Sequence, residues 1–151
     1  MSYLNISFVA SVTQCQDLFN LGLTGETLFH YRYDISDAND LHLVSRHMDH
    51  LALYSDIAAD LPTNVSSNYR YLPAYMLSSM IESIPDISLK ETSSEILLLS
   101  TKLWPSKAFR GKKLADVLVD CVKDILVRGL IPLNEMNSFF HHTPQNLPEH
   151  E

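Results

Sequence analysis

The residues best placed to do chemistry lie in one short stretch. Pro105-Ser106-Lys107-Ala108-Phe109-Arg110-Gly111-Lys112-Lys113 follows an apolar run and opens directly into an amphipathic segment. As a helix, that segment presents unpaired backbone N–H groups and a partial positive charge at its first turn. Arg110, Lys112 and Lys113 add cationic side chains there, an arrangement that seats a phosphate. The alternative is a solvated charged loop before an ordinary surface helix. Upstream, Glu95 starts the apolar run, where a carboxylate could serve as an acid or base or stand solvated at a strand end. Arg70 lies within Asn68-Tyr69-Arg70-Tyr71-Leu72, where an unpaired charge is costly. It either pairs with an acid such as Asp49 or Glu95 or points outward from a half-exposed sheet.

Other candidate groups point to packing and solvent. His42, His47, Asp49 and His50 fall within nine residues, but their spacing fits no recurrent zinc pattern. Solvated histidines and no metal site are expected. Cys121 shares an apolar helical face and Cys15 reads the same way, so both belong to the core. No Gly-x-Ser-x-Gly elbow, Walker loop or Cys-x-x-Cys motif is present, which leaves serine or nucleotide hydrolysis without support.

The elements that must position these residues follow from periodicity. Leu4, Ile6, Phe8, Ala10 and Val12 alternate with polar residues and predict a strand. Thr13-x-x-Gln16 has capping-box spacing, and Gly22 offers a stop for the helix that follows. In residues 24–48, Phe29–Tyr33 is aromatic and basic, and Asp37 could cap a helix through Leu41 and Val44. Residues 50–54 and 68–72 read as the arms of an antiparallel hairpin. Pro73 suits the first turn of a helix carrying Leu77, Met80, Ile81 and Ile84. Glu95–Trp104 reads as a strand buried on both faces, and 112–128 as a helix with Leu114, Val117, Leu118, Cys121, Val122 and Ile125 on one side. The order predicts an α/β (α+β) domain over residues 1–133 with a mixed, partly antiparallel sheet flanked by helices. Residues 134–151 read as a polar, flexible tail.

Composition narrows the class. With 46% hydrophobic and 19% charged residues over 151 positions, the chain suits one globular domain. No apolar run approaches the roughly 20 residues of a membrane span. Two cysteines exclude a disulfide scaffold, and the first residues lack the basic and apolar blocks of a leader, so a cytoplasmic location is expected. The net charge of -7 argues against a nucleic-acid partner. Residues 1–101 hold four basic side chains against twelve acidic ones, whereas Lys102, Lys107, Arg110, Lys112 and Lys113 fall within twelve positions. That local cationic patch suits a small anion.

Arg110-Gly111-Lys112-Lys113-Leu114-Ala115 resembles the pyrophosphate-binding loop of GNAT-fold N-acyltransferases. Arg110 and Ala115 match the family pattern, and Lys113 stands where the family has its middle glycine. Phe29-His30-Tyr31-Arg32-Tyr33, Arg70-Tyr71-Leu72-Pro73 and Tyr75-Met76-Leu77 resemble motifs of the autoinducer (acyl-homoserine lactone) synthase branch. Glu95-Ile96-Leu97-Leu98 keeps that branch's strand acid without its arginine. The resemblance implies a GNAT-like three-layer fold and transfer of an acyl group from a coenzyme A or acyl-carrier-protein thioester to an amino-acid-derived amine. It implies Glu95 and Arg70 as catalytic residues and Arg110, Gly111, Lys112 and Lys113 as the phosphate site. No cofactor is held permanently. The alternative is a non-catalytic acidic protein of antitoxin or immunity type, steered toward a basic protein partner.

Overall fold

The computed structural model describes residues 8–34, 37–45 and 69–141. In chain order these form α1 (Val12–Asn20), β1 (Phe29–Asp34), β2 (Asp37–Ser45), β3 (Tyr69–Ala74), α2 (Leu77–Ser83), β4 (Ser88–Glu91), β5 (Ile96–Leu99), β6 (Ala108–Gly111), α3 (Leu114–Arg128) and α4 (Leu133–Phe140). The chain is a mixed α/β protein. Its strands do not share the expected single mixed sheet but form two antiparallel three-stranded sheets, ordered β2-β1-β3 and β4-β5-β6.

The first sheet grows from the period-two pattern of Phe29, Tyr31 and Tyr33. Tyr31 stands opposite Leu43 on one side and Leu72 on the other, and both tyrosines pack against the core. Residues 37–44, for which Asp37 suggested a helix, are therefore strand β2. Leu41 and Leu43 share a face with Tyr33 and Tyr31, a match that helical spacing would break. Of the expected hairpin, residues 50–54 lie outside the described residues, and β3 pairs with β1. Pro73 sits inside β3 opposite His30, not at a helix start. Among the described residues β3 is an edge strand, where a missing N–H costs no ladder bond. Helix α2 begins at Leu77 instead.

The N-terminal segment also differs from expectation. Residues 4–7 lie outside the described residues, and the remainder pairs only through a Val9–Met76 bridge before α1 begins. Ser11, not Thr13, caps α1: its hydroxyl accepts from Gln14 N–H (3.2 Å), and the side-chain Oε1 of Gln14 accepts from Ser11 N–H (3.0 Å). The box is the expected device two residues early.

The second sheet replaces the long strand predicted over Glu95–Trp104. β5 ends at Leu99 because Ser100 turns the chain, donating its hydroxyl to the Pro85 carbonyl (2.6 Å) and accepting Trp104 N–H at its own carbonyl (2.7 Å). Neither face of β5 is fully covered. Leu98 is buried, while Ile96, Leu97 and Leu99 are half-buried. Helix α3 keeps its predicted apolar side, burying Val117, Leu118, Cys121, Val122 and Ile125 beside β5, β6, α1 and α2.

The expected tail from residue 134 begins as structure. Leu133–Phe140 is helix α4, whose Met136 is wholly buried and whose Phe140 meets Tyr75 edge-to-face, with ring centroids 5.6 Å apart. Its apolar spacing, Met136 and Phe140, is one helical turn. The domain therefore includes α4. Truncating a wholly buried methionine leaves a cavity, so Met136→Ala should cost about 2–4 kcal/mol in urea unfolding. A flexible tail would lose nothing.

Candidate functional site

Part of the predicted phosphate loop is a strand, with Lys112 and Lys113 beyond its end. Ala108–Gly111 pairs residue by residue with β5, Gly111 against Ile96 and Arg110 against Leu97. Gly111 faces α3, and a Cβ built there would lie 3.0 Å from Val117 Cγ2. A side chain at this position would crowd the contact between helix and strand. Arg110 points to the opposite face, since side chains alternate along a strand. On that face it meets Glu95, two residues before Leu97, with Nη1 and Oε2 3.4 Å apart. The structure thereby joins two residues expected to serve different substrates. The pair is solvent-exposed, so it adds little to stability.

Lys112 and Lys113 are exposed, and Lys113 is the N-cap of α3 without a side-chain cap. The first turn already carries a carboxylate: Asp116 accepts from the Gln14 side-chain amide at 2.8 Å, tying α3 to α1. Arg70 is exposed on β3 in the first sheet, whereas Glu95 and Arg110 belong to the second. Of the expected site residues, Glu95, Arg110 and Gly111 come together, with Lys112 and Lys113 following in the chain.

Tyr75, of the Tyr75-Met76-Leu77 motif, is wholly buried and donates its hydroxyl to the carbonyls of Thr24 (2.9 Å) and Leu23 (3.2 Å). Desolvation pushes its phenol well above the usual range. Tyr31 donates to the Ala10 carbonyl at 2.6 Å and is pushed up to about 12, chiefly by burial and then by neighbouring Cys15. Both cysteines are buried, as expected. Burial raises Cys15 to about 12 against the partial relief of Tyr75 N–H, and raises Cys121 to about 12 with help from Asp120 and Asp124. Neither thiol can act as a thiolate near neutral pH. His42 lies on β2, while His47, Asp49 and His50 fall outside the described residues. Among the described residues, no three metal-binding side chains gather.

Sequence reasoning missed an open groove between β6 and α3. Lys107, Phe109, Asp120, Asp124 and Val127 line a space of about 490 Å³. Lys107 Nζ stands 4.6 Å over the Phe109 ring, which meets Trp104 edge-to-face at 4.7 Å. Trp104 in turn donates its indole N–H to Asp124 at 2.7 Å. The signal was present as Lys107 and Phe109 two apart, one strand face, but it stays hidden until 108–111 is read as a strand. A second depression, beside Thr27, Met76, Ser79 and Phe140, holds only about 130 Å³, below the range of organic-ligand pockets.

With the geometry in hand, comparison of the chain with protein-family models, with curated proteins and with solved structures finds no match. Among the described residues, no helix is long and apolar enough to cross a membrane.

The buried thiols set a pH dependence. Their folded pKa values lie above the ordinary 9.0, so the native state holds the protons more tightly than the unfolded chain. That stabilisation is complete below pH 9.0 and is lost as pH rises toward about 12. Urea midpoints should fall steadily above pH 9.0, less so in Cys15→Ala compared with its own neutral-pH value. A thiol reagent at pH 8, below the ordinary 9.0, should modify neither cysteine until the protein unfolds.

Proposed function

We propose that the chain is a non-catalytic binding domain, of antitoxin or immunity type, that engages a basic protein partner through its acidic surface. The Arg110–Glu95 ion pair carries this reading. Acyl transfer would need Arg110 to meet a pyrophosphate and Glu95 to meet an amine, and here each meets the other. The pairing of Gly111 with Ile96 adds to it, because the seam an acyl arm would occupy beside residue 111 is closed by a continuous β5–β6 ladder. A GNAT-like fold would place a mixed sheet there, and both sheets are antiparallel. The charge supplies the partner's chemistry. A net -7 steers a cationic protein by long-range attraction, and such association weakens with salt.

Thermal melting with and without acyl-coenzyme A separates this reading from acyl transfer, because any ligand that binds only the native state must raise the melting temperature. The expected outcome is an unchanged melt at millimolar acyl-coenzyme A or acyl-carrier phosphopantetheine. A raised melt that the double variant Arg110→Ala/Lys112→Ala abolishes would overturn the binding reading. Acyl-thioester consumption that falls about 10²-fold in Glu95→Gln, as for a lost general base, would establish the acyltransferase in its place.

A further inference from the structure

We infer that the partner adds a strand to β6: an extended segment of it lies in the groove between β6 and α3, bonded through its backbone, with an apolar side chain resting on Val127. The inference rests on the binding function proposed above and gives it a site. The two walls fix where the groove runs. One wall is four consecutive residues, Lys107, Ala108, Phe109 and Arg110. Side chains alternate along a strand, so a space that touches all four follows the strand's edge, not one of its faces. The inner edge of β6 is taken by β5, which leaves the outer one. The other wall is Asp120, Lys123, Asp124 and Val127, spaced i, i+3, i+4 and i+7, a single stripe of α3.

An edge strand beside a helix is the setting in which extended peptides add to sheets. The stripe rises about 10 Å along the helix axis, and a four-residue strand spans about 13 Å, so the groove takes three or four residues of extended chain. Ladder bonds alternate in an antiparallel pair, so half of the residues of β6 turn their N–H and C=O groups outward. Among the described residues no strand pairs with them there. The sheet's other edge, β4, is blunted by exposed Lys90 and Glu91. On β6 the one charged side chain, Arg110, is held by Glu95. The walls are also built before any partner arrives. Trp104 packs on Phe109 of β6 and bonds Asp124 of α3, bracing strand and helix together. A pre-ordered surface loses little entropy on binding.

Backbone, not charge, chooses the occupant here. Lys123 meets Asp17, Asp124 accepts from Trp104 and Arg128, Arg110 meets Glu95, and Lys107 lies over the Phe109 ring. The walls therefore carry charges of both signs that are largely answered within the chain, and only Asp120 stands exposed beside them. What the chain leaves unanswered is the outer backbone of β6 and the apolar surface of Val127, which is 68% exposed. A helix has no backbone groups to spare for that edge. An extended segment answers both features, with its N–H and C=O groups toward β6 and one side chain on Val127. The net charge then governs encounter with the basic partner, and the edge governs how one segment of it is held.

Amide NMR titration of the full chain with the uncharged peptide acetyl-Thr-Val-Thr-Val-Thr-amide tests this. At millimolar peptide the amides of 107–111 and 120–127 should shift, with little dependence on salt. Hydrogen exchange should slow at alternate amides of β6. The same peptide N-methylated at every residue keeps the side chains and loses the donors, and it should bind at least about tenfold more weakly, the scale of one or two lost hydrogen bonds. Val127→Ser should weaken the parent peptide about fivefold, as loss of an apolar anchor does. Leu89→Ser, on β4, should leave it unchanged, and melts confirm that each variant is folded. Binding that ignores both N-methylation and Val127→Ser overturns strand addition at β6, as do shifts centred on another surface or no shift at all; an unchanged melt with acyl-coenzyme A then leaves the binding function standing. Shifts of 107–111 that grow with protein concentration alone overturn the choice of occupant in favour of a second copy. If no peptide binds and acyl-coenzyme A raises the melt, the strand site and the binding function fall together.

Discussion

Tyr75 is the joint on which the fold depends. Its carbonyl accepts Ala10 N–H at 2.9 Å, its own N–H reaches Cys15 Sγ at 3.4 Å, and its hydroxyl donates to Leu23 and Thr24. Its ring lies against Phe140. One wholly buried residue, through its backbone and its side chain, therefore ties the N-terminal segment, α1, the loop after it, the exit of β3 and the last helix. A phenol excluded from water must find acceptors, and here two backbone carbonyls that the loop leaves open receive it. The constraint is mutual, since the loop's carbonyls would otherwise lack a partner in the interior.

From that joint the two sheets are covered by one continuous core. Leu18, Leu72, Met80, Leu98, Leu118, Ile125 and Met136 come from both ends of the chain and belong to the same cluster. Around it, charged side chains pair with one another across helices and turns. Lys123 meets Asp17, Arg128 meets Asp124, and Arg110 meets Glu95. Arg110, which looks available along the sequence, has a carboxylate beside it in space.

Helix α3 was the most legible element. Leu114, Val117, Leu118, Cys121, Val122 and Ile125 keep helical spacing, and all but half-buried Leu114 are buried. The strands were less legible. Leu41 and Val44 are compatible with a helical stripe, and nothing local favours the strand until Tyr31 and Tyr33 are placed alongside. Likewise Arg110-Gly111-Lys112-Lys113 reads as a loop because its charges and glycine disfavour a strand locally. Pairing with Ile96 and Leu97 overrides that preference.

The sequence by itself determined the mixed α/β class, the apolar side of α3, the burial of both cysteines and the acidic excess, because these follow from residue type and short-range spacing. Tertiary structure decided which strands pair, that α4 belongs to the core, and that Glu95 and Arg110 meet. Register and ion pairing join residues far apart in the chain, and local periodicity carries no record of which distant partner will satisfy them.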